Sequence, residues 1–493
     1  MNILKLSLSV ISLAAIVACS TDDTITQNNQ QPTSDVTNKD QGLDQFIWNG
    51  MNQVYLYKED VPKLANDAFA NTTELNKFLA TFTSPEELYA NLQSQQDRFS
   101  FLTDNYVQLE QSFSGVSKSN GMDFSLALVS QGSDDVIGFV RYVLPGTDAE
   151  AKGVVRGDIF NTINGEKLTR SSDFNTLFGL TTYTIGLASV DSNGNVTSRN
   201  QEISLTQSEY TENPVYISKV IEYQGQKIGY VMYNSFVGDF DAQLNTAFGD
   251  LKAAGINDLI LDLRYNGGGS VRTAIDLSAM ITGQFTGDIF SKEIWNKELQ
   301  AAFNAQDPER LINRFRDTIR TGAPINSLNL SRVYILTTDR SASASELVIN
   351  GLDPYIETKK IGDTTTGKFQ ASITLYDSDN FGREGASTEH TYAIQPLVLK
   401  SANKVGKTDY VNGLAPDVNF KEKISNLGIL GEPTEPFLNA ALEYIVNGVL
   451  PADPNAKRKN GFIEEMEILG ESNMFNPTYQ RMYIDHDKVD FIR

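Results

Sequence analysis

The chain is poor in the residues that carry most disulfide and metal chemistry: it has one cysteine, Cys19, and two histidines, His390 and His486. A lone cysteine excludes internal disulfides and any cysteine-based metal site. No His/Cys/carboxylate cluster stands at ligand spacing, so neither a metal nor an organic cofactor is expected. Basic residues are in the minority, 41 Lys and Arg against 62 Asp and Glu, for a formal charge of −21. Such a balance would not offset nucleic-acid phosphates, which argues against DNA or RNA as a partner. The same acidity would help keep a secreted protein in solution. Long apolar runs are missing everywhere except the N-terminus. What remains is ordinary for a globular protein: 493 residues, 40% of them hydrophobic, enough for a sizeable core.

The N-terminal run has a positive start at Lys5 and an apolar stretch from Leu6 to Ala18, too short to span a bilayer. Residues 1–18 are therefore expected to be a signal peptide. Cys19 follows Ile16-Val17-Ala18, which resembles the lipobox of bacterial lipoproteins and implies lipidation of Cys19; a plain signal peptide with an incidental cysteine is the alternative. Residues 19–41 are polar and read as a flexible, lipid-anchored linker. The expected location is the bacterial cell envelope, lipid-anchored at the outer membrane, on its periplasmic face or at the surface. Ser20-Thr21-Asp22-Asp23 resembles the acidic surface-export signals of some lipoproteins.

Residues 42–112 read as a helical N-terminal domain. Ile47, Met51, Val54 and Tyr55 share one helical face, and Ser84-Pro85-Glu86-Glu87 has the spacing of a capping box with Pro at the first helical position. Residues 113–208 change character. They read as strands broken by a short helix, with Thr147 and Glu150 spaced to cap it, Gly153 to end it, and turns at Gly157-Asp158 and Asn164-Gly165. This order resembles a bacterial PDZ domain, which implies capture of an extended peptide, often a free C-terminus, as an added strand at a sheet edge. Residues 209–450 alternate strand and helix signals, an α/β core. Within it, residues 288–322 read as a charged helical insertion. Residues 451–493 form a polar C-terminal tail that is harder to assign.

Three stretches could carry chemistry. LILDLRYNGGGSVRTAIDL sets three glycines between a strand and a helix. The dinucleotide pattern fails at Arg272, whereas backbone N–H groups in such a turn can stabilise an oxyanion, or the turn can be purely structural. Gly362 to Lys368 has the P-loop glycine spacing, but Phe369 stands where Ser or Thr should bind magnesium, and a strand follows. Finally, TTDRSASASELVINGL puts Ser341, Ser343 and Ser345 on a turn that opens a helix. Ser343 and Glu346 have capping-box spacing, a sufficient structural reason for that serine. A helix N-terminus also favours developing negative charge, so a nucleophile there is useful. It would need a base: the two histidines lie in no recognisable triad signature, whereas Lys368 could serve if burial lowered its pKa from about 10.4 toward roughly 7–8.

The order of these pieces resembles the carboxyl-terminal processing peptidases, or tail-specific proteases. The motifs are Asp262-Leu263-Arg264 with Asn266, Gly268 and Gly269, then Ser341 to Glu346, Thr366-Gly367-Lys368, and Asn412-Gly413-Leu414-Ala415-Pro416-Asp417. The resemblance covers about residues 42–445 and implies an α/β multidomain protein whose peptidase core is similar to the Clp-protease and crotonase folds. It also implies a Ser/Lys dyad. The family's nucleophile is the middle serine, 25 residues before its lysine, which makes Ser343 the nucleophile and Lys368 the base. The implied oxyanion donors are the N–H groups of Ala344 and Gly268. Many members carry a glutamine four residues after the lysine; here Ser372 holds that place and Gln370 lies two residues after Lys368, so either could orient the lysine. The implied substrate is extended or unfolded polypeptide, presented by the PDZ-like domain and engaged through its C-terminus. A lipid-anchored peptide-binding protein with an inactive peptidase fold is the alternative. Oligomeric state is not indicated.

Overall fold

The computed structural model describes residues 41–130, 132–191, 195–450 and 467–485. The expected signal peptide, Cys19 and all but the last residue of the expected linker lie outside the described residues, as does His486. Among the described residues no helix is long and apolar enough to cross a membrane.

The N-terminal helices form as the apolar spacing predicts. Gln41–Val54 buries Ile47, Met51 and Val54 completely, and Tyr55 just beyond it. Ser84 accepts the Glu87 N–H at 3.2 Å and starts Pro85–Asn91, but the Glu87 carboxylate returns to Thr83 rather than to Ser84. These helices have no core of their own: their apolar residues join one buried cluster with Phe248, Leu261, Phe290 and Leu347 of the α/β core. A strand within this region, Phe101–Thr103, pairs with Ala393–Gln395 far along the chain.

The next region does have its own core, built around Phe124, Val140, Phe160 and Ile185. Its sheet runs from β1 (Met122–Leu128) through Val136–Val143, Ile159–Ile163 and Thr182–Val190 to Val196–Thr206. The short helix Asp148–Ala151 is present and Gly153 ends it at φ 75°, yet Thr147 does not cap it. Its hydroxyl donates to Leu144 O at 2.6 Å, and Glu150 takes the Gly146 N–H. The cap is lost because the turn before the helix competes for both side chains.

The α/β core holds two six-stranded sheets. One runs Val215–Tyr223, Gln226–Tyr233, β2 (Asp258–Asp262), Arg332–Thr337, Glu357–Gly362, Val418–Asn419, and every pairing after the first is parallel. Parallel strands buried on both faces need apolar runs, and β2 is buried at every position. The other sheet begins at β3 (Gly269–Ser270), which leads into α1 (Val271–Thr282). Residues 288–322 are not the helical insertion their charge suggests. Ile289–Trp295 and Ile312–Arg314 are strands of this second sheet, with helix Lys297–Gln306 between them. Phe290 and Trp295 are buried, and that apolar demand outweighs the charged residues around them.

Candidate active site

Two loops meet at the carboxyl ends of the parallel strands. The first leaves β2 at Asp262. Arg264, fully buried, donates to Asp262, to Glu435 at 3.0 and 3.1 Å, and to Glu422 at 2.8 Å, with Phe437 stacked 4.6 Å from its guanidinium. Burial alone would lower its pKa, but the three carboxylates outweigh that and hold it well above the ordinary value. Asn266 then braces the glycines: its amide donates to Tyr233 O at 2.7 Å and its side-chain oxygen accepts the Gly268 N–H at 2.8 Å.

The second loop carries the three serines into α2 (Ala344–Leu352), a helix buried along its whole length. The outer two are staples. Ser341 Oγ donates to Leu263 O at 2.7 Å, and Ser345 Oγ to Asn266 O at 3.0 Å. Ser343 differs: it is fully buried at φ 65°, a left-handed conformation costly for a residue with a Cβ. Ser343 and Glu346 take up the capping-box arrangement their spacing predicts: the Ser343 N–H donates to Glu346 at 2.8 Å and Oγ faces the Glu346 amide, but Oγ makes no hydrogen bond of full geometry. An unsatisfied buried hydroxyl in strained backbone is what capping alone does not require.

Lys368 stands on the segment leading to β4 (Gln370–Ser372) and is fully buried. Burial, and secondarily the Arg481 charge, pushes its pKa well below the ordinary lysine value against the pull of Asp97 and Glu346. Its Nζ lies 4.9 Å from the Phe99 ring centre and donates to Gln480 O at 2.8 Å. Gly367, at φ 87°, lets the chain pass Val411: a Cβ there would stand 2.4 Å from Val411 O.

Glu346 joins the two halves. Oε2 accepts the N–H groups of Ser343 and Lys368, and Oε1 accepts Gly367 N–H at 2.7 Å and Thr365 Oγ1 at 2.5 Å. Burial raises its pKa, opposed by these bonds. The sequence shows Glu346 only as a cap partner; its role as the tie between Ser343 and Lys368 has no local signature. Gly268 sits against Ser343, for a Cβ on it would be 2.6 Å from Ser343 Cβ and 3.0 Å from Ala344 N. Its φ of 111° is open to glycine alone at no cost. Its N–H, however, is engaged by Asn266.

Neither Gln370 nor Ser372 holds the lysine. Gln370 Nε2 donates to Tyr57 Oη at 2.7 Å, and Ser372 Oγ to Met482 O at 3.1 Å. Lys368 lies before the strand, and the strand's pairing shifts register between Ala371 and Ser372, so the expected shared face with the lysine does not form and each side chain takes another partner. His390 pairs with Asp377 through one ring nitrogen and takes the Tyr392 N–H on the other, so it has no tie to Ser343. Among the described residues no His/Cys/Asp/Glu group could hold a metal.

Residues 227–419 match the model of peptidase family S41, and residues 42–101 that of the S41 N-terminal domain. The carboxyl-terminal-processing protease of Picosynechococcus sp. is 25% identical over 308 residues, 61% of this chain and 65% of that protein. A CtpA-like serine protease of Staphylococcus aureus strain COL is 23% identical over 78% of this chain and 68% of its own length. The chain thus spans about two thirds of these curated relatives. A solved structure from Bacteroides fragilis, designated an S41 protease, superposes with a TM-score of 0.63 at 24% identity, covering 82% of this chain and 97% of that one.

Proposed function

From the premise that this chain belongs to peptidase family S41, we propose that it is a serine endopeptidase of extended or unfolded polypeptide, with Ser343 as nucleophile and Lys368 as general base. The observation that carries this reading is the pairing of an unbonded, buried Ser343 Oγ with a lysine that burial holds well below its usual pKa, both hung from Glu346. A lysine neutral at neutral pH can accept a proton; a charged one cannot.

Ser343 Oγ attacks the scissile carbonyl carbon and passes its proton to Lys368 Nζ. The oxyanion forms beside Ala344 N–H, at the positive end of α2. Gly268 N–H becomes the second donor once it exchanges Asn266 Oδ1 for the oxyanion. Lys368 then protonates the leaving amine as the C–N bond breaks, and afterwards activates the water that cleaves the acyl ester. For this, Nζ must turn from Gln480 O to Ser343 Oγ. Residues 113–208 serve as the PDZ-like domain that presents substrate, and the core is of the Clp-protease and crotonase type. Cys19 is the lipid-anchoring residue, with the outer membrane as the site of action; loss of fatty-acid labelling in Cys19→Ala is the expected result, and retained labelling would remove the anchor from the proposal.

The test uses protein from Ser20 onward with unfolded casein, comparing the unaltered chain with Ser343→Ala and Lys368→Ala. Each variant should lose about a thousandfold in kcat/KM while staying folded. Casein cleavage by Ser343→Ala at the unaltered rate would overturn the assignment.

A further inference from the structure

After the polar stretch that follows Asn447, the chain returns and lies along its own site. Residues β5 (Ile468–Glu471) add to β1 as an antiparallel edge strand, pairing Ile468 with Ala127 and Glu471 with Ser125. Phe475 then packs 5.9 Å from Phe178, on the short helix Phe174–Phe178 of the same domain. Further on, β6 (Met482–Tyr483) runs parallel to both β3 and β4, inserted between the strand from the glycine loop and the strand from the lysine. Among the described residues β3 and β4 are joined in that sheet only through it.

The Arg481 carbonyl oxygen lies 2.6 Å from where a Gly268 Cβ would stand, the same point that Ser343 Cβ and Ala344 N approach. Ser372 Oγ donates to Met482 O, and Ile484 N–H donates to Ser372 O at 3.1 Å. Both ends are held by side chains as well. Glu471 is buried and accepts from Arg141, from Arg340 at 3.3 Å and from Tyr479, while Met482 is fully buried. One detail makes the register unproductive: Lys368 Nζ is bonded to Gln480 O and leaves Ser343 Oγ without its base. A cavity of about 650 Å³ runs between the two attachment points, lined by β1 residues, Gly268 and this same segment.

We propose that residues 467–485 are a cis-bound inhibitor: they occupy the two ends of a peptide track, the β1 edge and the strand position beside Ser343, wall the cavity between them, and must leave before another polypeptide is cleaved. The inference rests on the peptidase reading for its consequence, but the occupancy is testable without it. Strand addition is carried by backbone bonds, so an unrelated polypeptide can replace the segment at little cost in specificity. Intramolecular tethering keeps its effective concentration high.

The double variant Glu471→Lys/Met482→Asp sets a cation against Arg141 and Arg340 and a carboxylate into a buried site. It should raise kcat/KM for casein about tenfold or more, by raising the open fraction. A synthetic peptide of residues 467–485, added in trans, should compete with casein and reverse the gain. A labelled copy of that peptide should bind the double variant and fail to bind the unaltered chain, as read by fluorescence anisotropy. If neither protein cleaves casein but the peptide binds only the double variant, the occupancy stands and the peptidase reading falls. Equal casein cleavage by both folded proteins, or no peptide binding to either, overturns the proposal. So does a product ending at Arg481, which would make the segment a substrate. Should the double variant not fold, a protease site placed within residues 451–466 allows the same comparison before and after cutting.

Discussion

Ser343 and Lys368 hang from one oxygen: Glu346 Oε2 accepts the backbone N–H of each at 2.8 Å. One buried carboxylate thereby ties the backbone at Ser343 to that at Lys368, which the two loops would otherwise place independently. Glu346→Gln keeps the volume but can place an amide N–H where an acceptor is needed, and Glu346→Ala removes all four bonds. Leaving buried donors unpaired costs about 1–3 kcal/mol each, less what relaxation recovers. We expect both variants to lose about a hundredfold in kcat with a small change in KM, and to unfold at lower urea. Unchanged kcat in Glu346→Ala would show that the loops position themselves.

Arg264 gives a second expectation, this time on stability. It is fully buried, paired with Asp262, Glu435 and Glu422 and stacked on Phe437, and Arg156 shares Glu422 at 2.5 Å and Glu435 at 3.9 Å. Arg264→Met leaves Asp262 with the Tyr230 hydroxyl and Glu435 with the Leu438 N–H and a distant Arg156, so both buried carboxylates lose their close cation, which should cost about 3–5 kcal/mol. Arg264→Lys should rescue little, because an ammonium cannot serve three carboxylates in the fork geometry of a guanidinium. Urea denaturation of the two variants reads both numbers.

Much of this site is visible in the sequence, and what is not has a common physical character. The β2–glycine turn, the serine turn and Lys368 stand where residue types and spacing put them, because each is a local feature: a strand end, a helix start, a tight loop. Gly413 likewise explains its place in the sequence, since a Cβ there would lie 2.0 Å from Thr365 O. What escapes is long-range backbone pairing. Ile468–Glu471 adds to β1 through main-chain bonds, which leave no mark on residue identity, and Met482–Tyr483 is too short to read as a strand at all. Residues 288–322 misled for a related reason. The alternation is broken within the strand itself, where charged Glu293 is buried and apolar Ile294 is exposed, so only the buried Phe290 and Trp295 hint at the sheet. For Gln370 and Ser372 the strand was legible, but not its register shift or the partners Tyr57 and Met482.

Glu212 lines the cavity beside β1 and has its pKa raised from 4.5 to about 7 by burial, with Asp123 adding and the Asn234 bond opposing. A carboxyl raised on folding is protonated in the native chain where it is ionised in the unfolded one. Its contribution is fully present below about pH 4.5 and is lost as pH rises through about 7. Glu212→Gln should therefore flatten the fall in stability across that window. The difference between variant and unaltered chain should grow by about 1–3 kcal/mol from pH 5 to pH 8. Parallel pH profiles of Tm for the two proteins would contradict a Glu212 that is half-buried and protonated in the folded chain.

Lys368 reverses the sign. Its native pKa is depressed, first by burial and then by Arg481, so the unfolded chain binds the proton more readily. Stability should rise with pH through the window from the depressed value up to the ordinary 10.5, and Lys368→Met should abolish that rise. Catalysis follows the same group: kcat/KM should climb with pH and reach its plateau well below 10.5, because only the neutral amine accepts the Ser343 proton. Lys368→Arg should be inactive across the whole range, since a guanidinium does not deprotonate. Displacing residues 467–485 removes both the Arg481 charge and part of the burial, so the Glu471→Lys/Met482→Asp variant should show its acid limb at higher pH than the unaltered chain. An acid limb that stays put would mean that the segment never touches the lysine in solution.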